Sequence, residues 1–87
     1  KDELLRKLKW IELDPGIKHE SKPHSEGIEE FITVIKGEVE ITVGKQNFTL
    51  SSGDGIRYAA NVYHSFENKT DSEIAYQQTT FYSGMHQ

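Results

Sequence analysis

The chain has 87 residues, of which 14 are acidic and 10 are basic, and its formal net charge is −4. This length allows one domain, and this charge argues against direct binding to nucleic acid. The absence of cysteine excludes disulfides and thiolate metal sites and favours a reducing compartment. No run is apolar and long enough to cross a membrane. We therefore expect a cytoplasmic protein with no membrane partner.

The first nine residues, KDELLRKLK, carry three leucines at a weakly helical spacing. This spacing predicts a linker or short helix over residues 1 to 9, leading into a single domain over residues 10 to 87. Because the chain begins at Lys1 rather than at methionine, we expect this segment to continue from a longer protein. The first strand is predicted in WIELDPG, where a Pro-Gly turn closes it.

From residue 28 onward the sequence is typical of β-structure. Residues 28 to 35 are rich in Ile, Phe, Thr and Val, and EVEITVG alternates apolar with polar positions. Further strands are predicted in NFTL, in IRYAANVYHSFEN, which carries two, and in IAYQQTTFY. Short strands separated by turns predict an all-β sandwich or small barrel. The residues expected to supply much of its apolar surface are Ile32, Val34, Val39, Ile41, Val43, Phe48 and Leu50.

Two spaced motifs give the chain a family resemblance. Glu30 is followed after six residues by Gly37, and Gly53 is followed by His64 and then by Asn68. These spacings resemble the two motifs of the cupin superfamily, and the resemblance extends over nearly the whole chain. It implies a small double-stranded β-helix, or jelly-roll barrel, of antiparallel strands.

Within that superfamily the chain is similar to the C-terminal cupin domain of XRE-type helix-turn-helix regulators. The likeness rests on WIELDPG, PHSEGIEEFITVIKGEVEITVG and GDGIRYAANVYHSFEN. It implies a domain that binds a small-molecule effector in its barrel and biases a DNA-binding domain that these residues do not contain. It also implies a homodimer, with Trp10, Ile11 and Leu13 as candidate contact residues. The alternative is a small metal-dependent cupin enzyme, such as an isomerase or a dioxygenase.

The cupin motif also implies candidate metal ligands, because His24 and Glu26 occupy the places of its His-x-His pair. Glu30 and His64 occupy the places of its glutamate and last histidine, and such a set suits one divalent ion such as Mn, Fe, Ni or Zn. The alternative is that Gly27 breaks the strand and leaves Glu30 and His64 as a polar pair in a pocket without metal. The broken His-x-His pair favours this alternative, so we expect no cofactor.

Three further residues are candidates for the ligand site beside Glu30 and His64. Arg57 is either an anion clamp inside the cavity or a solvated outer residue. Tyr76 and Gln78 share one face of the last strand with Thr80, where these side chains offer hydrogen bonds to a ligand or simply follow β-propensity. No nucleophile elbow or glycine-rich phosphate loop is present. The sequence therefore predicts a ligand site without catalytic residues, formed by Glu30, His64, Arg57, Tyr76 and Gln78.

Overall fold

In a computed structural model of the chain, which describes residues 5 to 82, eight strands form two antiparallel four-stranded sheets. In chain order the strands are β1 (Leu5–Leu13), β2 (Lys18–Ser21), β3 (Ile28–Lys36), β4 (Glu38–Val43), β5 (Gln46–Ser51), β6 (Gly55–Ala59), β7 (His64–Glu67) and β8 (Ile74–Tyr82). The first sheet has the order β1-β8-β3-β6, and the second has the order β2-β7-β4-β5. This arrangement confirms the predicted all-β, cupin-type barrel. The described residues include no helix that is long and apolar enough to cross a membrane.

The first strand differs from the prediction for its segment. Residues 5 to 9, which the leucine spacing predicts as a linker or short helix, form the first half of β1. They pair with β8 in a register that is unbroken along the whole of β1. Pairing with a neighbouring strand therefore outweighs a weak helical pattern. Residues 1 to 4 lie outside the described part of the chain.

The other predicted strands are confirmed, and β2 is added to them. It has the sequence KHES and pairs with β7. Three of its four residues are exposed and the fourth is half-buried, so it needs no apolar side chain. Because apolar alternation is the signal by which a strand is recognised in a sequence, β2 leaves no such signal.

The core lies between the two sheets and is built by alternation along the strands. On β3, Ile32 and Val34 point inward and are buried, whereas Phe31 points outward. The ring of Phe66 on β7 lies 5.0 Å from the ring of Tyr76 on β8, which joins the sheets. Of the predicted apolar residues, the buried ones are Ile32, Val34, Val39 and Ile41, and the half-buried ones are Val43, Phe48 and Leu50.

One end of the barrel is closed by Asn68, which is fully buried. Its side-chain nitrogen donates to the carbonyl oxygens of Leu13 at 2.9 Å and Ser72 at 2.8 Å. Its side-chain oxygen accepts from the backbone nitrogen of Thr70 at 2.9 Å. These bonds hold the end of β1 against the turn between β7 and β8. The asparagine of the second motif is therefore structural, and the polar motif residues Glu30 and His64 lie at the opposite end.

Candidate functional site

Glu30 carries the buried charge at the end of the barrel where β3 begins, and only 2% of its surface is exposed. It lies in register with Thr80 of β8 on one side and with Tyr58 of β6 on the other. Its Oε1 accepts a hydrogen bond from the Tyr58 hydroxyl at 2.7 Å. Its Oε2 is 3.5 Å from the Thr80 hydroxyl, which is a long contact. One oxygen is thus well partnered, and the other keeps acceptor capacity.

The charge of Glu30 helps to raise the pKa of two buried tyrosines, Tyr58 and Tyr76. Burial raises the pKa of Tyr58 far above its ordinary value, and the hydrogen bond to Glu30 raises it further. The phenol therefore stays protonated and donates to the carboxylate. Burial also raises the pKa of Tyr76, with a further contribution from the charge of Glu30. The Tyr76 hydroxyl has no hydrogen-bond partner among the described residues.

His64 is fully buried beside Glu30. Its Nδ1 lies 2.8 Å from the carbonyl oxygen of Val62. Because a carbonyl oxygen only accepts, Nδ1 carries the proton in this bond, and Nε2 of a neutral ring is left as an acceptor. That Nε2 lies 3.4 Å from Glu30 Oε1 and has no hydrogen-bond partner in the described part of the chain. Two acceptors thus face one another, an arrangement that a cation or a proton between them would stabilise.

His24 reaches the same carboxylate from the loop between β2 and β3. Its backbone nitrogen donates to the carbonyl oxygen of Ala60 at 2.8 Å, which fixes that part of the loop. Its Nε2 lies 3.5 Å from Glu30 Oε2, and its side chain is 41% exposed. Gly27, with a φ of 90°, precedes β3, so no continuous strand runs from His24 to Glu30. Glu26 lies exposed on this loop.

Three of the four residues predicted as metal ligands therefore lie close together, with His24 supplied by the loop. One ligand atom each from His24, Glu30 and His64 lies within 4.8 Å of the others, and Glu26 is outside this group. Glu30 and Ile32 are two residues apart on β3, so both side chains point into the barrel. His24 is not on this strand and reaches the site through the loop. The donor set consists of two imidazoles and one carboxylate, which is a set that suits divalent transition metals.

A cavity of about 160 Å³ opens in front of Glu30. Its lining is mainly polar and comes from three strands of the first sheet and from the segment that ends in His24. The cationic, imidazole, carboxylate and amide side chains of the lining are those of Lys7, Lys9, His19, His24, Glu30 and Gln78. A cavity of this size has room for one small molecule, and its polar lining offers hydrogen bonds.

The structure brings some of the predicted ligand residues to this cavity and not others. Glu30 and Gln78 line it, His64 lies beside Glu30, and Tyr76 is buried deeper, against the ring of Phe66. Arg57 lies on the outer face of the first sheet and does not line the cavity. Its Nε and Nη2 are 2.9 and 2.8 Å from the carboxylate of Glu29, and its guanidinium lies 5.2 Å from the ring of Phe81.

The contributors that the sequence does not predict are Lys7, Lys9, His19, Ser21 and Tyr82, which line the cavity, and Tyr58, which donates to Glu30. The two lysines share strand parity with Ile11 and Leu13, which pack in or against the core. A predicted strand that began at residue 5 would place both lysines on the inner face of the sheet. The role of Tyr58 depends on its register with Glu30, and no local pattern specifies this register.

Comparisons with known proteins identify the family of the chain. Residues 9–77 match the family model described as "Cupin domain". The HTH-type transcriptional regulator SutR of Escherichia coli (strain K12) is 32% identical to the chain over 72 residues. The aligned region is 83% of this chain, which spans only 40% of the length of SutR.

Solved structures show the same fold. The cupin domain of an XRE-family transcriptional regulator from Enterobacter cloacae is 26% identical, with a TM-score of 0.81 over 88% of this chain and 94% of that chain. A protein from Thermotoga maritima, described as a predicted oxalate decarboxylase, is 20% identical, with a TM-score of 0.76 over 86% of this chain and 64% of that chain. At that identity the second likeness shows the fold alone.

The hydrogen bond between Tyr58 and Glu30 can be tested with a matched pair of variants. We expect Tyr58→Phe to lower the free energy of unfolding by about 1.5 to 3 kcal/mol, because it removes a donor to a buried charge. Tyr76→Phe removes a buried hydroxyl that has no partner among the described residues, and we expect a change within about 0.5 kcal/mol or a gain. Urea unfolding measures both values, and equal losses in the two variants would contradict this account.

Proposed function

We propose that this chain, which belongs to the cupin family, is the ligand-sensing domain of a bacterial helix-turn-helix transcriptional regulator and acts without catalysis. The observation that carries the proposal is the cavity of about 160 Å³ in front of the buried carboxylate of Glu30. The similarity to SutR and to the Enterobacter cloacae regulator supports the link to transcription. We place the protein in the cytoplasm, where the DNA that such a regulator binds is located.

The mechanism we propose is a shift between two arrangements of the sensor and an attached DNA-binding domain. A ligand shifts such an equilibrium only if it binds one arrangement more tightly than the other. The cavity is lined by Lys7 and Lys9 near the start of β1. In our proposal the DNA-binding domain precedes β1, so a ligand that orders these residues acts on the segment that joins the two domains.

A divalent cation is the second candidate occupant, held by His24, Glu30 and His64. The observation in its favour is the spacing of 3.4 Å between His64 Nε2 and Glu30 Oε1. Two ligands that each lie about 2.1 Å from one tetrahedral ion are about 3.4 Å apart. The bond from His64 Nδ1 to a backbone carbonyl is also typical of metal ligands. Such an ion would supply Lewis-acid or redox chemistry, which the alternative function, a small metal-dependent isomerase or dioxygenase, requires.

We also propose that the sensor is a homodimer, whose contact surface keeps Trp10 but not the other two residues that the sequence indicates. Leu13 is buried and Ile11 packs against the core, so neither is available to a partner. The outer face of the first sheet instead exposes Trp10, Leu8 and Phe31, at 54%, 64% and 38%. These three side chains form the outer patch. Because β1 is an edge strand, a second copy would cover both its edge and this patch.

The sensing function is tested by a metabolite screen on the purified chain, followed by DNA binding with the full-length regulator. We expect a ligand that raises the melting temperature, and we expect the same ligand to change the affinity of the full-length protein for its DNA by at least about fivefold. NMR of the mixture shows whether the ligand is consumed. Turnover of the ligand, or binding without any effect on DNA affinity, would contradict the proposal.

We expect removal of metal by a chelator to leave the melting temperature of the purified chain unchanged. The reasons are that Glu30 already has a donor in Tyr58 and that His24 stands on a half-exposed loop. Elemental analysis after dialysis is the second measurement. A stoichiometric ion whose removal lowers the melting temperature, together with loss of this effect in His64→Ala, would replace our proposal with the metal-dependent alternative.

The outer patch predicts that light scattering at micromolar concentration reports two chains. Trp10→Lys is expected to give a single chain, because it places a charge in the proposed contact. Ile17→Lys is the matched control, since Ile17 is 48% exposed but lies between β1 and β2 and outside the outer patch. A wild-type protein that remains a single chain would contradict the dimer.

A further inference from the structure

The charges around the cavity have a definite order. The inward residues of β1 are apolar at Ile11 and Leu13, which pack in or against the core. Toward the cavity they become cationic, at Lys7 and Lys9. The buried carboxylate of Glu30 faces the same cavity from β3. Lys7 and Lys9 form a cationic wall of the cavity, and Glu30 forms an anionic wall.

The strand register gives the separation of these walls. Lys7 pairs with Thr80, and Thr80 pairs with Glu30, so the three residues form one row across β1, β8 and β3. Neighbouring strands are about 4.8 Å apart, which puts the α-carbons of Lys7 and Glu30 about 10 Å from each other. Lys9 pairs with Gln78 in the adjacent row. Among residues 5 to 82, neither lysine forms an ion pair with the Glu30 carboxylate within 4.0 Å, so both charges are available to a ligand in the cavity.

We infer that the ligand of this cavity is a small zwitterion of the amino-acid class, with its ammonium group at Glu30 and its carboxylate at Lys7 and Lys9. This inference rests on the proposed sensing function and names the ligand class. An ammonium group supplies the donors that Glu30 Oε2 lacks, since its contacts to His24 and Thr80 are both 3.5 Å long. A carboxylate supplies the acceptor for the two lysines.

The size of the cavity limits the ligand within that class. An engineered protein cavity of about 150 Å³ holds one benzene molecule, and this cavity measures about 160 Å³. An amino acid with six to nine non-hydrogen atoms is of that size. Gln78 and Thr80 lie between the two charged walls, where an amide and a hydroxyl bond either group of the ligand. A plain amine would contact only Glu30 and a plain carboxylate would contact only the lysines, so each would make one of the two charged contacts.

The test is an NMR titration of the isotope-labelled chain with L-alanine, L-serine, propionate and L-alaninamide. Propionate is L-alanine without its ammonium group, and L-alaninamide keeps the ammonium group but has no carboxylate. We expect one or both amino acids to bind at least about tenfold more tightly than propionate and L-alaninamide. The inference is overturned if either single-charge probe binds as tightly as the amino acids, or if neither amino acid binds at about 10 mM.

The cationic wall is tested separately with the double variant Lys7→Gln, Lys9→Gln, whose side chains are exposed. We expect its affinity for the amino acid to fall at least about tenfold, while its affinity for L-alaninamide changes by less than about twofold. The double variant Lys36→Gln, Lys69→Gln changes the net charge equally at the far end of the barrel, and we expect it to bind like the wild type. Equal losses in the two double variants would overturn the inference.

The two proposals fail in different ways. If propionate binds as tightly as L-alanine and still alters DNA affinity in the full-length regulator, the ligand class is wrong and the sensing function stands. If L-serine or L-alanine binds with the expected selectivity but leaves DNA affinity unchanged, the ligand class stands and the sensing function is wrong.

Discussion

The burial of one carboxylate at the end of the barrel is the constraint on which the rest of the site depends. A charge with 2% exposure is tolerated only with donors close to it, and the Tyr58 hydroxyl at 2.7 Å is the shortest contact to Glu30. Tyr58, Glu30 and Thr80 stand in one row because β6, β3 and β8 share one register. A slip of one residue in β3 would bring Phe31 inward and leave Tyr58 without its acceptor.

Much of the fold follows from the alternation of apolar and polar residues along the sequence. Ile32 and Val34 share strand parity with Glu30, and both are buried. The same rule works for Val39 and Ile41 on the opposite sheet. Alternation gives no signal where a strand buries no apolar side chain, as in β2. At residues 5 to 9 the leucine spacing predicts a helix, but the structure has a strand. In both places the pairing partner, rather than the local sequence, decides the structure.

The site was predictable to the extent that it lies on strands. His64 and Glu30 were identified by motif spacing, and the structure brings them together. His24 arrives from a loop held by a backbone bond to Ala60, and no periodic pattern describes such a path. Arg57 is instructive, because Ile56 on one side of it is half-buried and Tyr58 on the other is buried. Alternation therefore puts the arginine on the outer face, which is the solvated alternative that the sequence left open.

β1 presents different chemistry on its two faces. Lys7 and Lys9 look into the cavity, whereas Leu8 and Trp10 look outward from the first sheet. Since neighbouring positions on a strand face opposite ways, a mutation at an odd position changes one surface and a mutation at an even position changes the other. In the proposed sensor, a duplicated copy of the gene can therefore acquire a different small-molecule preference by mutation at Lys7 and Lys9 while the apolar outer surface is inherited unchanged.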